Sequence, residues 1–285
     1  MLKNCFFDKY ILCKATYKGK TMKNKKMIPI TNAVMFAMVM QDKELCRQVL
    51  ETLLQIEIDH LEDVKTEEVL KPALETKGVR LDVFVKNSTA VFDVELQMTN
   101  TGNLPLRARY YQAVCDYDVL KTGAPYQELK QSYVIFLCPF DLIGDGEVCY
   151  VVESAVNGRV SEKYNDKCKK LFFNFTKFAS CDNIHTSALL KFFASGQPSD
   201  DLTKRLSEKV VENNGHEKWR RENMTLEMYV EDRMFEAEQI GIEKGKYETA
   251  RNLLNMGLSI EQISYATGLS IEAVQEIADE LNADK

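Results

Sequence analysis

No apolar run in this sequence approaches the roughly 20 residues needed to cross a bilayer. The run Tyr133-Val-Ile-Phe-Leu-Cys138 is the size of a β-strand. The lysine-rich start has neither the continuous apolar core nor the small-residue cleavage site of a secretory signal. Paired cysteines are missing as well. The eight thiols, at positions 5, 13, 46, 115, 138, 149, 168 and 181, include no C-x-x-C, so nothing supports a zinc ribbon or a thioredoxin-type motif. Only three histidines are present (His60, His185 and His216), far apart and in no H-E-x-x-H spacing, which argues against a zinc enzyme. These absences lead to the expectation of a soluble, cytoplasmic protein with free thiols and no membrane partner.

What is there is an ordinary globular balance. Apolar residues make up 45% and charged residues 28% of 285 positions, room for one large domain or two small ones. The net charge of -6 is unevenly spread. Residues 1–26 carry eight lysines against Asp8 alone, which leaves the remainder strongly acidic. Such an arm could touch phosphate backbones, but a solvated, poorly ordered leader over residues 1–29 is the plainer expectation.

From Thr31 the apolar spacing is helical through Val34, Met38, Leu45, Val49 and Leu53, with a break near Gln41-Asp42 where Asp42 can cap a second segment. Residues 56–64 then read as a short strand or irregular edge, and Pro72 and Gly78 mark a loop. Two β-rich runs follow, Val79 to Lys86 and Val91 to Met98, joined by Asn87-Ser-Thr-Ala90 as a hairpin. A helix from Pro105 to Lys121 has an apolar stripe of Leu106, Tyr110, Ala113, Tyr117 and Leu120, which leaves Arg107, Tyr111 and Asp118 to another face. Strands are expected at residues 132–139, 148–154 and 170–175, and nearly continuous helix from about Asn183.

In the tail, Gly241 and Gly245 form a G-x-x-x-G that means either close approach of another backbone or two tolerated glycines. Gly257 stops that helix, Ser259 and Gln262 form a capping box, Gly268 stops the next helix and Ser270 starts the last. The layout is similar to a helix-turn-helix. Its final helix, however, carries Glu272, Glu276, Asp279 and Glu280, and phosphate rims would repel it. The hairpin reads as a partner-binding or self-associating element, which makes a homo-oligomer the expectation.

The hairpin at residues 79–98 carries the chemistry. A four-residue loop sets Lys86 opposite Val91, and counting back along both strands brings Asp82 opposite Glu95. Like charges at that distance repel unless a cation or a proton lies between them. Gln97 is on the same face, one pleat further on. Such a set fits Mg²⁺, which takes one or two carboxylates together with waters and phosphate oxygens. Asp82 and Glu95 would hold the ion with the Leu96 carbonyl, Gln97 could orient a water, and Arg107 or Arg109 could steady phosphate charge. The other reading of the same alternation is a half-exposed sheet face with Arg80 and Lys86 as salt-bridge partners.

Several segments carry a resemblance: Arg80-Leu-Asp-Val-Phe-Val85, Phe92-Asp-Val-Glu-Leu-Gln97, Arg109-Tyr-Tyr-Gln112, Leu120-Lys-Thr-Gly123, residues 133–141 and Lys170-Leu-Phe-Phe-Asn174. Together with Thr31-Asn-Ala-Val-Met-Phe36 and Gly241-Ile-Glu-Lys-Gly245, they resemble the PD-(D/E)XK nuclease family transposases, relatives of the recombination-promoting nucleases. That resemblance implies a restriction-endonuclease-like α/β core, a mixed sheet flanked by helices, over residues 30–180, with a helical C-terminal region over 181–285. It makes Asp82 the first acidic ligand and Glu95 the second, and puts Gln97 where the wider superfamily has a lysine. Glu44 and Glu51 are candidates for an added acidic residue from the first helix. The implied activity is Mg²⁺-dependent DNA cleavage, with Mn²⁺ as a substitute ion, linked to recombination or mobile elements. DNA contact would fall to Arg80, Arg107 and Arg109. The alternative is an idle nuclease fold serving as a DNA-binding or protein-interaction module.

Overall fold

The computed structural model describes residues 16–17, 20–21, 27–70, 79–161, 163–223, 241–242 and 244–283. By packing, the chain forms two compact units, Met1–Asn223 and Met224–Lys285.

The first unit opens with a short strand pair, β1 (Thr16–Tyr17) and β2 (Lys20–Thr21). Two capped helices follow. Asn32 Oδ1 accepts the N–H groups of Val34 and Met35 to start α1 (Ala33–Met40), and Asp42 does the same for Glu44 and Leu45 at the start of α2 (Lys43–Leu54). Each cap satisfies two N–H groups that a helix start leaves unpaired, so the break expected at Gln41-Asp42 is a capped junction.

Six strands build the main sheet: β3 (Val64–Leu70), β4 (Val79–Lys86), β5 (Ala90–Leu96), β6 (Gln131–Cys138), β7 (Cys149–Val152) and β8 (Cys168–Asn174). Their order is β3-β4-β5-β6-β8-β7. β3, β4 and β5 are antiparallel neighbours, β5, β6 and β8 run parallel, and β7 closes the far edge antiparallel to β8. Mixed sheet and flanking helices are the architecture expected of a restriction-endonuclease-like α/β core.

One strand differs from expectation. The first strand of the sheet is β3 at residues 64–70, not residues 56–64. β3 is an edge strand whose Lys65, Glu67 and Val69 face solvent, and that charge on an edge hides a strand pattern while discouraging further pairing. The loop expected at Pro72 and Gly78 lies outside the described residues.

A larger correction concerns α3 (Leu104–Val119), which connects the parallel pair β5 and β6. The face expected to be polar is the buried one. Leu104, Ala108, Tyr111, Gln112 and Cys115 turn inward with Arg107 and Asp118 beside them, while Leu106 and Tyr117 are 62% and 63% exposed. The sheet beneath explains the reversal. It presents Phe84, Phe136 and Phe172, which Leu104, Ala108, Val114 and Cys115 cover, and also carboxylates, which Arg107 and Tyr111 face from the same side of the helix. Lys86 likewise reaches Asp118 across this layer.

The opposite sheet face is buried as well, with Val83, Val85, Val94, Ile135 and Leu137 at most 2% exposed. There α1 lies against β3 and β4, and α2, α4 (Ile184–Ser195) and α5 (Asp201–Asn214) pack around it. α6 (Glu217–Asn223) follows α5. Secondary structure changes character near residue 180, where a boundary was expected. Packing places α4, α5 and α6 with the sheet and divides the chain after Asn223.

The second unit holds α7, described over residues 241–242 and 244–255, then α8 (Ile260–Thr267) and α9 (Ile271–Ala283). The capping box of Ser259 with Gln262 and the left-handed stop at Gly268 are present as expected. Ala250, Ile263, Val274 and Ile277 form the core, whereas Ile271 is 52% exposed. Among the described residues, a Cβ added at Gly241 or Gly245 would meet nothing within 4 Å.

Asn214 ties the segment before α1 to α5. Its Oδ1 accepts the Ile28 N–H at 2.8 Å and its Nδ2 donates to the Ile28 carbonyl at 3.0 Å, all buried. Asn214→Ala strands both backbone groups, so a loss of about 2–4 kcal/mol is expected from urea unfolding, with the slope of the transition unchanged.

Candidate active site

β5 is buried along its whole length, as a central strand between two helical layers must be. That burial turns an ordinary alternation into a constraint. Asp93 and Glu95 face α3 and are both 0% exposed. The half-exposed face considered from the sequence is confined to β4, where Arg80 is exposed and Asp82 partly buried, and the carboxylates of β5 must find partners inside the protein.

The hairpin pairs in the expected register, from Lys86 opposite Val91 to Val83 opposite Val94. Its loop is set by Asn87, whose Oδ1 accepts the N–H groups of Thr89 and Ala90. One step beyond Val83 and Val94, side chains replace the main-chain ladder. The Asp82 N–H donates to Glu95 Oε1 at 2.8 Å, and the Leu96 N–H donates to Asp82 Oδ2 at 3.0 Å. Each carboxylate therefore satisfies the backbone of the strand across from it, and the two groups are fixed side by side where β4 and β5 cease to pair.

Arg107 supplies the positive charge. From α3 its Nη2 donates to Glu95 Oε2 at 2.6 Å, its Nη1 to Gln97 Oε1, and its Nε to the Tyr111 hydroxyl at 2.8 Å. The guanidinium lies over the rings of Tyr111 and Phe136, 4.9 and 5.5 Å from their centroids. Three hydrogen bonds and two ring faces fix it in place. The Gln97 Nε2 donates to the Thr99 carbonyl, so the amide is engaged at both ends.

Titration follows from this crowding. Burial pushes the Glu95 carboxyl up to about 7, with the neighbouring Asp82 charge acting in the same direction and Arg107 opposing both. Burial also raises Asp82, against the Leu96 N–H and the Arg107 charge. Asp93 is raised well above the ordinary carboxylate range, by burial first and then by the charge of Glu95. Neither of its oxygens has a hydrogen-bond partner.

Asp82, Glu95, Leu96, Gln97 and Arg107 thus come together. Arg80, on the strand of Asp82, is exposed, pairs with Glu67, and lies near enough for its charge to favour Asp82 ionisation. Arg109 is not brought to the carboxylates: two residues after Arg107 it lies about 200° round the helix, exposed. Glu44 pairs with Arg47, and Glu51 takes both Arg47 and the Ile58 N–H, so both acids serve the surface of α2. The N-terminal lysines, apart from Lys20 in β2, lie outside the described residues.

Asp93 and Tyr111 were missed from the sequence. The signal for Asp93 was available, because a helix joining two parallel strands must cover one face of the sheet, and every acidic side chain on that face is then buried. Tyr111 was assigned to the wrong helix face.

Asp82 and Glu95 set two carboxylates side by side, hard oxygen donors of the kind a divalent cation accepts while keeping most of its water. No group of three or more His, Cys, Asp or Glu side chains that could hold a metal gathers among the described residues. The pair therefore suits a divalent cation that keeps water ligands and does not make a closed cage.

The model of one protein family, described as PD-(D/E)XK nuclease family transposase, matches residues 33–235, which is well over half of the chain. The match takes in the whole main sheet and both facing carboxylates. No curated protein and no solved structure matches the chain.

Because the folded state holds a proton on Glu95 more tightly than the unfolded chain does, the stability linked to it is complete below the ordinary value of 4.5 and is lost as pH rises through about 7. In EDTA the melting temperature is therefore expected to fall between pH 5 and pH 8. Asp93→Asn, which removes a fully buried carboxyl whose oxygens have no hydrogen-bond partner, should raise the pH 8 value and flatten the slope. Differential scanning calorimetry across that range checks both, and an unchanged slope in the variant would show that Asp93 does not titrate there.

Proposed function

The chain belongs to the PD-(D/E)XK nuclease family transposases, and we propose that it is a divalent-metal-dependent DNA endonuclease whose site is the Asp82–Glu95 pair. The observation that carries this reading is the exchange of hydrogen bonds at the end of the hairpin ladder, where each carboxylate is held by the other strand's backbone. A pair of buried acids fixed by backbone donors is costly to stability and useful for little besides a cation or a proton.

Asp82 and Glu95, with the Leu96 carbonyl, would hold Mg²⁺ or Mn²⁺, which would supply a polarised phosphodiester and a more acidic water. The chain's own groups do the remaining work. The Leu96 and Asp82 N–H groups keep the carboxylates from turning away, and Arg107 presents a fixed positive charge beside them. Arg80 extends that charge along β4 toward solvent. Among the described residues no helix is long and apolar enough to cross a membrane. Self-association through the C-terminal helices, and a role in recombination or mobile elements, belong to the same proposal. Exposed Met256, Tyr265 and Ile271 in the second unit support the former.

One observation favours the idle-module alternative. Both oxygens of Glu95 already have partners, in the Asp82 N–H and in Arg107, so the site is satisfied without an ion.

Plasmid cleavage with Mg²⁺, Mn²⁺ or EDTA separates the two. Divalent-dependent nicking or linearisation is expected from the wild type, with Asp82→Ala and Glu95→Ala each reducing it by about 1,000-fold or more while remaining folded. Intact plasmid under every condition, from a folded protein that also shows no calorimetric Mn²⁺ binding, would establish the idle module.

A further inference from the structure

Phosphodiester cleavage builds negative charge on oxygens around phosphorus, and a fixed cation aimed at that charge lowers the barrier. β5 does not provide one. Residue 97, one pleat beyond Glu95 on the same face, is a glutamine, which carries no charge. Its amide is also engaged at both ends, by Arg107 at Oε1 and by the Thr99 carbonyl at Nε2.

We infer that Arg107 is the catalytic cation of this site, delivered from α3 to the place where the side chain of residue 97 ends, and that Gln97 and Tyr111 are the positioning residues that hold it there. The inference rests on the nuclease reading above. Three observations lead to it. Arg107 bridges Glu95 and Gln97 with its two terminal nitrogens, so its charge lies at the end of the residue-97 side chain. Its Nε is held by the Tyr111 hydroxyl, which leaves the guanidinium plane little freedom to rotate. The arginine side chain is 30% exposed while Glu95 is fully buried, so Arg107 is the member of the pair that solvent and a phosphate can reach.

Polarity at position 97 follows from this arrangement. A glutamine oxygen accepts from the guanidinium, whereas an ammonium there would stand against it at hydrogen-bond distance. A cation on the strand and a cation from the helix are thus alternatives for one place, and this chain uses the helix. The water-orienting role considered for Gln97 gives way to an anchoring one.

Moving the charge back to the strand is the test. Cleavage, Mn²⁺ binding by calorimetry and thermal melting are measured on wild type, R107M, Q97K and the double variant Q97K/R107M, with R107Q standing in should R107M fail to fold. R107M is expected to lose about 100-fold or more in cleavage and still bind Mn²⁺. Q97K alone should also be impaired, since two cations then compete for one place. The double variant should recover at least about tenfold over R107M. Y111F, which keeps the ring and loses one hydrogen bond, should lower kcat and leave KM within about twofold.

Wild-type cleavage by R107M, or a double variant no better than R107M, overturns the inference and leaves the nuclease reading standing. A wild type that cuts nothing overturns the nuclease reading instead, and melting then decides the exchange. Recovery in Q97K/R107M of the stability lost in R107M upholds one shared place for the charge, and absence of recovery overturns it.

Discussion

The structure turns on one guanidinium. Arg107 is the cation hydrogen-bonded to Glu95, and it stands against three carboxyls, Asp82, Asp93 and Glu95, at the centre of a sheet covered on both faces. Burying an ion costs several kcal/mol even after the protein relaxes, and one arginine cannot neutralise three acids. Their pKa values rise accordingly, and at neutral pH part of the cluster holds protons rather than charge. Such an arrangement weakens the fold. The aromatic layer around it, Phe84, Phe136 and Phe172, supplies the apolar burial that tolerates the deficit. Sites of this kind are where a protein gives up stability for chemistry.

The same constraint explains local geometry that would otherwise look irregular. β4 and β5 pair regularly through Val83 and Val94 and then exchange their bonds through side chains. Had the ladder continued, the Asp82 and Leu96 N–H groups would have bonded to carbonyls and both carboxylates would have been free to rotate. By taking those donors, the acids are fixed and the backbone stays satisfied. The orientation of α3 follows too. A helix packed on a purely apolar face would have turned Leu106 and Tyr117 inward. Over Asp93 and Glu95 the favoured rotation presents Arg107 and Tyr111 instead, and leaves those apolar side chains in solvent.

Much of this was legible in the sequence, for reasons that can be stated residue by residue. The hairpin register was readable because Asn87 and a four-residue loop fix which residues face each other, and strand periodicity carries that register to Asp82 and Glu95 without further assumptions. The caps at Asp42, Ser259 and Gly268 were readable because capping is local chemistry. What escaped was set by tertiary context. β3 is an edge strand written in lysine and glutamate, so its pattern resembles a loop. Leu106 and Tyr117 of the stripe read on α3 are exposed because a second face, with Leu104, Ala108, Val114 and Cys115 beside Arg107 and Tyr111, meets both the apolar and the acidic parts of the sheet. Asp93 looked the same as its neighbours until a helix was known to lie over it. Gln97 reads from the sequence as a water-orienting amide, since nothing local shows that an arginine ten residues later bonds to its oxygen.

Charge also decides where a polyanion could be met. With a net charge of -6 the chain has no general attraction for nucleic acid, and local cations must do that work at short range. The topology helps by collecting ends. β5, β6 and β8 are parallel, so Gln97, Cys138 and Asn174 all emerge at one edge of the sheet, the edge where Asp82 and Glu95 lie. The segment after β6 is held rigid there. Asp141 accepts the N–H groups of Ile143, Gly144 and Gly146 and the Tyr150 hydroxyl, bonds that pull its carboxyl down to about 2. Among the described residues, the cation hydrogen-bonded to these acids at that end of the sheet is Arg107. Held by Gln97 and Tyr111, that one side chain limits how far burial and the Asp82 charge can raise Glu95, since its own charge opposes both.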